Sequence, residues 1–209
     1  MTAKPLALIG GGGHALSLLD ILPSPVRVAG YVDICPGRNF PLPYLGNDEA
    51  FCEKNQDTNV AITFVSGKNC SLAGRRRIIE RYRNFDAPVI IAPTAIVSPS
   101  ASAGKGCQIF HRAVIGPETI IGEYSIVNTG AIVEHGCRIG ENVFIGPGAV
   151  ICGGVTIGND CYIGAGAVIR PGITICPETV IGAAAAVVKD ILTPDTYAGI
   201  PAKPIQINI

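Results

Sequence analysis

His14, His111 and His135 are the only imidazoles in this 209-residue chain, and imidazole is the side chain best suited to moving a proton near neutral pH. His135 stands in VNTGAIVEHGCRIG, residues 127–140, a stretch that is otherwise aliphatic, small and glycine-rich. His14 lies in GGGGHA, residues 10–15, which fits the pattern G-x-G-x-x-[GA]; Asp33 follows at about the distance expected of a ribose-binding acid. Glycines in such a turn let a phosphate approach the backbone, and the N–H groups of a following helix N-terminus receive its charge. A tight turn without a ligand would use the same residues. The unit around GGGGHA is short for a full dinucleotide fold, so a mononucleotide or nucleotide sugar suits it better.

The elements that must position these residues follow two grammars. From Ile91, steps of six land on Ile or Val at sixteen of seventeen positions through Val187, with Ala103 the exception. A period of six divides by two and fits a 3.6-residue turn poorly, so it predicts short strands joined by tight turns. Stacking such rungs buries one column of Ile and Val. His135, third in its hexad, should then project outward near a corner. The slot four residues after each aliphatic is mostly small or β-branched (Ala113, Thr119, Ser125, Ala131, Cys137, Val143, Ala149), and Cys107, Cys137 and Cys161 occupy it as compact apolar fillers. The first ninety residues lack this period. PLALIGGGGHALSLLDIL predicts a buried strand, a glycine turn and a helix, VRVAGYVD a second strand, and NVAITFVSG a third. A helix is expected over 72–82 with its arginines on the wet side. The tail from Pro194 stops the repeat and should seal its last rung.

Composition narrows the function. A formal net charge of zero gives no electrostatic case for nucleic acid or an anionic membrane surface. A hydrophobic content of 48% argues against disorder despite 26 glycines and 16 prolines. No apolar run is long enough for a membrane span, and MTAKPLALIGGGG lacks the long apolar core and cleavage site of a signal peptide. The eight cysteines are scattered without a CxxC pair, which fits reduced thiols in a cytoplasmic protein.

The in-register hexads resemble those of the hexapeptide-repeat acyltransferases, whose fold is a left-handed parallel β-helix with three hexads per triangular coil. With the short βαβ unit, G-G-H near the start and the G-x-P-A-K tail (AGIPAKPI), the whole chain resembles sugar acetyltransferases. These are the enzymes of sialic acid O-acetylation and of nucleotide-linked 4-amino-sugar N-acetylation, the bacillosamine-pathway type above all. The resemblance implies a small α/β domain over residues 1–88 that holds the nucleotide, an all-β left-handed β-helix over 89–192, and a cap over 193–209 near CoA. It implies acetyl-CoA as co-substrate, no metal, a homotrimer, and active sites in grooves between neighbouring coils.

Residue by residue, Gly12, Gly13 and His14 match the family's glycine loop and Asp33 its acid, while Arg75 stands where an arginine suited to phosphate is found. His135 matches the catalytic base within N-T-x-x-x-x-E-H, and Asn128 the asparagine before it, suited to placing the acceptor. One coil on, Gly153 matches the backbone donor to the oxyanion and thioester. Ala183, Gly199, Pro201 and Lys203 match positions around CoA. Two positions depart from the pattern: Gly136 replaces the acid that orients the base, and Phe144 replaces a second histidine. An orienting carboxylate would then come from Glu134, Glu123 or another subunit. N-acetylation of a nucleotide-linked 4-amino-sugar, O-acetylation of sialic acid or a related sugar, and a scaffold that binds without turnover all remain open. A hexad-repeat carbonic anhydrase is rejected, because only His111 and His135 lie in the repeats and no H-x4-H occurs.

Overall fold

LALI carries no polar alternation because both sides of its strand are covered. In the computed structural model, which describes residues 4–55, 57–66 and 72–205, β1 (Leu6–Ile9) is buried along its length. It lies between β2 (Val28–Val32) and β3 (Asn59–Ile62) in a parallel sheet of order β2-β1-β3. Side chains alternate across the sheet: Leu6 and Leu8 meet α1 (Gly13–Ile21), while Ala7 and Ile9 face α2 (Asp48–Lys54) and α3 (Ala73–Tyr82). Phe51 of α2, Tyr82 of α3 and Phe85 pack their rings with centroids 5.5–6.1 Å apart. The expected helix at 72–82 is α3. α2 was not foreseen, although Asn47 accepts a hydrogen bond from the Ala50 N–H at 3.0 Å and Asp48 and Glu49 sit in the first turn.

The hexads form the expected left-handed parallel β-helix. Two-residue strands from β4 (Ile90–Ile91) to β20 (Ala186–Val187) pair in parallel with the strand eighteen residues on, as in Val127 with Ile145 and Val133 with Ile151. Three hexads therefore make one coil with three faces. Gln108, Ile126, Phe144 and Tyr162 point outward on the first face, Val114, Ile132, Val150 and Val168 on the second, and Ile120, Arg138 and Thr156 on the third. From Ile109 to Val187 the second residue of each strand fills the central column; Ile91, on the open first rung, is exposed.

Every corner from 106 to 184 turns through one residue in the left-handed region, spaced by six, with φ between 54° and 71°. Glycine takes many of these positions, Gly136 and Gly154 among them, but Arg112, Glu118, Asn142 and Asp160 adopt the same geometry. The small slot does more than fill space. Thr119 and Ser125 donate side-chain hydrogen bonds to carbonyls fifteen residues on, and Cys107, Cys137 and Cys161 do the same at 3.0–3.2 Å. These hydroxyls and thiols tie each coil to the next.

The α/β domain sits on the first face. Phe110, Ile126 and Phe144 share a buried cluster with Leu6, Leu8 and Leu18, and Phe144 stacks on Tyr162 at 4.8 Å. Phe144 is thus a packing residue of this junction. His111 joins the same contact: its Nε2 lies 3.3 Å from Asp20 Oδ2 and its Nδ1 2.7 Å from Thr94 Oγ1. At the far end, β21 (Thr196–Ala198) adds a parallel rung beside Val180–Ile181 and β22 (Lys203–Pro204) folds back against it. The tail thus lays one more rung on the first face. No helix among the described residues is long and apolar enough to cross a membrane.

Candidate active site

Two arrangements could do chemistry: a glycine-lined cleft at the carboxyl ends of β1–β3, and the coil corner that carries His135. The cleft encloses about 710 Å³ and is lined by Gly10 to His14, Asp33, Ser66, Arg77 and Arg81, among others. Gly10 (φ +113°) and Gly11 are glycine for structural reasons, since a Cβ at Gly11 would lie 2.6 Å from the Tyr31 ring. Gly12 and Gly13 differ. Their backbones suit any residue, and a Cβ on either would meet nothing within 4 Å. Packing does not account for these two glycines, which leave the α1 N-terminus open to the cleft. Gly12 caps α1 with no side-chain partner, which leaves the first N–H groups directed at the cleft.

Asp33 braces this turn. Its Oδ2 accepts from the Gly11 N–H at 2.8 Å and its Oδ1 from the Ile34 N–H at 2.7 Å. His14 is half-buried against Phe110 and bonded to Gln108 at 2.9 Å. Gln108 uses its Nε2 to donate to the Ile62 carbonyl, so its Oε1 accepts from His14 Nε2–H. The tautomer is thereby set, with the Nδ1 lone pair on the other side of the ring. Burial lowers the His14 pKa to about 4, so the ring is neutral at pH 7.

Arg75 does not line the cleft. It is 1% exposed, and its guanidinium donates to the carbonyls of Phe64 and Tyr124 and to Asn142 Oδ1. Asn142 is held in turn by Asp160. The expectation of a phosphate-facing Arg75 on a wet helix face gives way to a buried strut between the two domains. Burial lowers its pKa to about 10, still charged at neutral pH. Arg76 pairs with Asp160 at 2.7 Å, which leaves Arg77 and Arg81 at the cleft.

His135 occupies the corner between the second and third faces, exposed as expected. Its carbonyl accepts from the Gly154 N–H at 2.9 Å, fixing the backbone, while its ring makes no hydrogen bond among the described residues. Gly153 lies directly one coil on: a Cβ there would sit 2.5 Å from His135 Nε2. The Gly153 N–H donates to nothing among the described residues. The third residue of a hexad leaves its amide outside the ladder, which is why Pro117 and Pro171 fit the same column. At Gly153 that free amide stands beside an imidazole.

The remaining expected residues lie elsewhere. Asn128 is at the corner between the first and second faces and caps its own turn, accepting from the Thr129 N–H at 2.7 Å. Ala183 shares that corner, and its amide is also unpaired among the described residues. Gly199 (φ +92°) accepts from the Ala186 N–H, and Pro201 and Lys203 are exposed in the tail. Glu123 lies 4.0 Å from Arg83 at the corner beneath α3, away from His135. It does not orient the ring within the chain. Gly136, with φ +68°, explains itself as a corner residue.

Comparison with known proteins agrees with this fold. The family described as bacterial transferase hexapeptide (six repeats) matches residues 136–171 and 154–189. A histidine-to-alanine mutant of GDP-perosamine N-acetyl transferase from Caulobacter crescentus, solved with CoA and GDP-perosamine, superposes with a TM-score of 0.87 at 30% identity, covering 98% of each chain. The acetyltransferase domain of PglB from Neisseria gonorrhoeae FA1090, in complex with acetyl coenzyme A, gives a TM-score of 0.87 at 32% identity, covering 97% of this chain and 99% of that one. WeeI from Acinetobacter baumannii AYE shares the fold at 20% identity, with a TM-score of 0.78 and coverage of 97% and 100%. No curated protein sequence matches. With identity and coverage at these levels along its whole length, the chain belongs to the hexapeptide-repeat sugar acetyltransferases.

Proposed function

We propose that this protein transfers the acetyl group of acetyl-CoA to the amine of a nucleotide-linked 4-amino-sugar, with His135 as general base. The observation that carries this reading is the pairing at one exposed corner of an unbonded imidazole with the unpaired N–H of Gly153. As the amine nitrogen attacks the thioester carbonyl, His135 takes its proton and the carbonyl oxygen gains the negative charge. The Gly153 N–H donates to that oxyanion, a contact that strengthens as charge develops. The carbon–sulfur bond then breaks, the proton passes to the departing sulfur, and the products are the N-acetyl sugar and CoA thiol. The Caulobacter relative was solved with CoA and a GDP-linked sugar, which supports both ligand classes here.

One chain does not complete this site. The α/β domain sits on the first face, and the His135 corner, where the second and third faces meet, lies opposite that face in the triangle. A second copy, however, can bring its cleft beside that corner. The second face supports such an assembly. Its outward residues are Ile96, Val114, Ile132, Val150, Val168 and Ala186, an unbroken aliphatic stripe with Ile96 66% exposed. The third face mixes Ile120 with Ser102, Arg138, Thr156 and Thr174. An apolar stripe of this extent favours burial against another copy, and a homotrimer places one site at each of three equivalent contacts. The reduced thiols fit a cytoplasmic setting.

The test is CoA-thiol release with acetyl-CoA and a panel of UDP- and GDP-linked amino-sugars. The wild type should turn over at least one acceptor, and His135→Ala should lower kcat/KM by about 10²–10⁴-fold while still binding CoA. Turnover that survives the substitution would overturn the role given to His135.

A further inference from the structure

Three consecutive arginines open α3, and the fold uses each differently. Arg75 is buried in the domain junction and Arg76 is paired with Asp160. Arg77 is exposed, lines the 710 Å³ cleft and makes no ion pair or hydrogen bond among the described residues. Arg81, one helical turn on, lines the same cleft; it lies 3.9 Å from Asp48, at the long end of ion-pair range. α1 and α3 lie on opposite faces of the sheet, so the cleft runs across the strand ends between the α1 amides and this pair of guanidiniums.

Two anion-seeking features thus face each other, and they differ in kind. The α1 side offers backbone N–H groups and the space left open at Gly12 and Gly13, a cradle for one phosphate. The α3 side offers a planar fork of donors with full charge, suited to bidentate contact with a second. We propose that Arg77, with Arg81 behind it, holds the phosphate of the acceptor farther from the glycine turn. The cleft then distinguishes a nucleoside diphosphate from a monophosphate and sets the direction in which the attached sugar leaves it. This rests on the nucleotide-sugar reading above. Arg77 is a positioning residue, since it touches the handle of the acceptor and not its amine.

Calorimetric titration of the full chain with GDP, GMP, UDP and UMP tests the proposal without acetyl transfer. The wild type should bind at least one diphosphate about 10- to 100-fold tighter than its monophosphate, as a charge-assisted phosphate contact requires. Arg77→Ala should erase most of that ratio and leave monophosphate affinity nearly unchanged. Arg77→Lys should restore part of it. Arg83→Ala, which removes the same charge where Arg83 faces Glu141, should keep the ratio and so control for net charge. If the wild type prefers the diphosphate and Arg77→Ala retains that preference, the inference is wrong and the nucleotide reading stands. If the wild type binds none of the four nucleotides, both fall.

Discussion

A methyl group on Gly153 would collide with His135 Nε2, because the ring of one coil occupies the space beside the backbone of the next. Gly153 is not in the left-handed region, so its backbone tolerates a side chain; only the imidazole objects. Gly153→Ala should leave the melting temperature near that of the wild type and push the ring from its place. A displacement of about 1 Å at a reacting group can cost about 10²-fold. We expect kcat to fall by about that factor with CoA affinity retained, read by steady-state kinetics and calorimetry.

Gly136 offers the opposite experiment. Asp160 and Asn142 adopt at their corners nearly the geometry that Gly136 adopts at its own, so the fold can accept Gly136→Asp at a cost of about 1–2 kcal/mol. A carboxylate next to His135 would orient the ring and stabilise its protonated form. The variant should show a higher kcat/KM, with the acid limb of its pH profile moved to higher pH. An unchanged profile would mean that a carboxylate at this corner does not act on the ring.

Arg75→Ala should destabilise the chain by about 3–5 kcal/mol, since it opens a cavity and strands the carbonyl oxygens of Phe64 and Tyr124 and Oδ1 of Asn142. Urea denaturation reads this directly. A phosphate-binding Arg75 would instead lose nucleotide affinity at unchanged stability.

His14 gives stability a pH dependence with a definite sign. Burial lowers its folded pKa to about 4, from the ordinary histidine value of about 6.5. Above pH 6.5 the ring is neutral in both states and costs nothing. As pH falls from 6.5 toward 4 the unfolded chain binds the proton first, so stability is lost, by at most about 3 kcal/mol. His14→Gln should flatten this part of the curve relative to wild type in denaturation midpoints measured at pH 7.5, 5.5 and 4.5.

Much of the coil was legible because a period of six leaves little freedom: Ile or Val points inward every sixth residue, and the corners follow. The α/β domain was harder to read. α2 carries its own start signals in Asn47, Asp48 and Glu49, yet its short DEAFCEK buries only Phe51 and shows no periodic stripe. At Arg75 charge and helical phase point in opposite directions, and phase wins. Arg75, Ile79 and Tyr82 are the buried residues of α3, spaced by four and three, so helical phase placed Arg75 on the inner stripe. The same phase puts Arg77 and Arg81 together at the cleft. In the assembly proposed above, which corner faces which cleft would depend on how copies meet, and residue spacing along one chain does not encode that.

The thiols that link neighbouring rungs also make a built-in gauge of fraying. Burial pushes Cys107 up to about 11 and Cys161 to about 12, so at neutral pH almost none of either exists as the reactive thiolate. An alkylating reagent should spare both while the coil is intact. Cys35, the exposed cysteine among the described residues, would take the label at once. Cys107 and Cys161 lie three coils apart, so the order in which they acquire it would show from which end the spring unwinds.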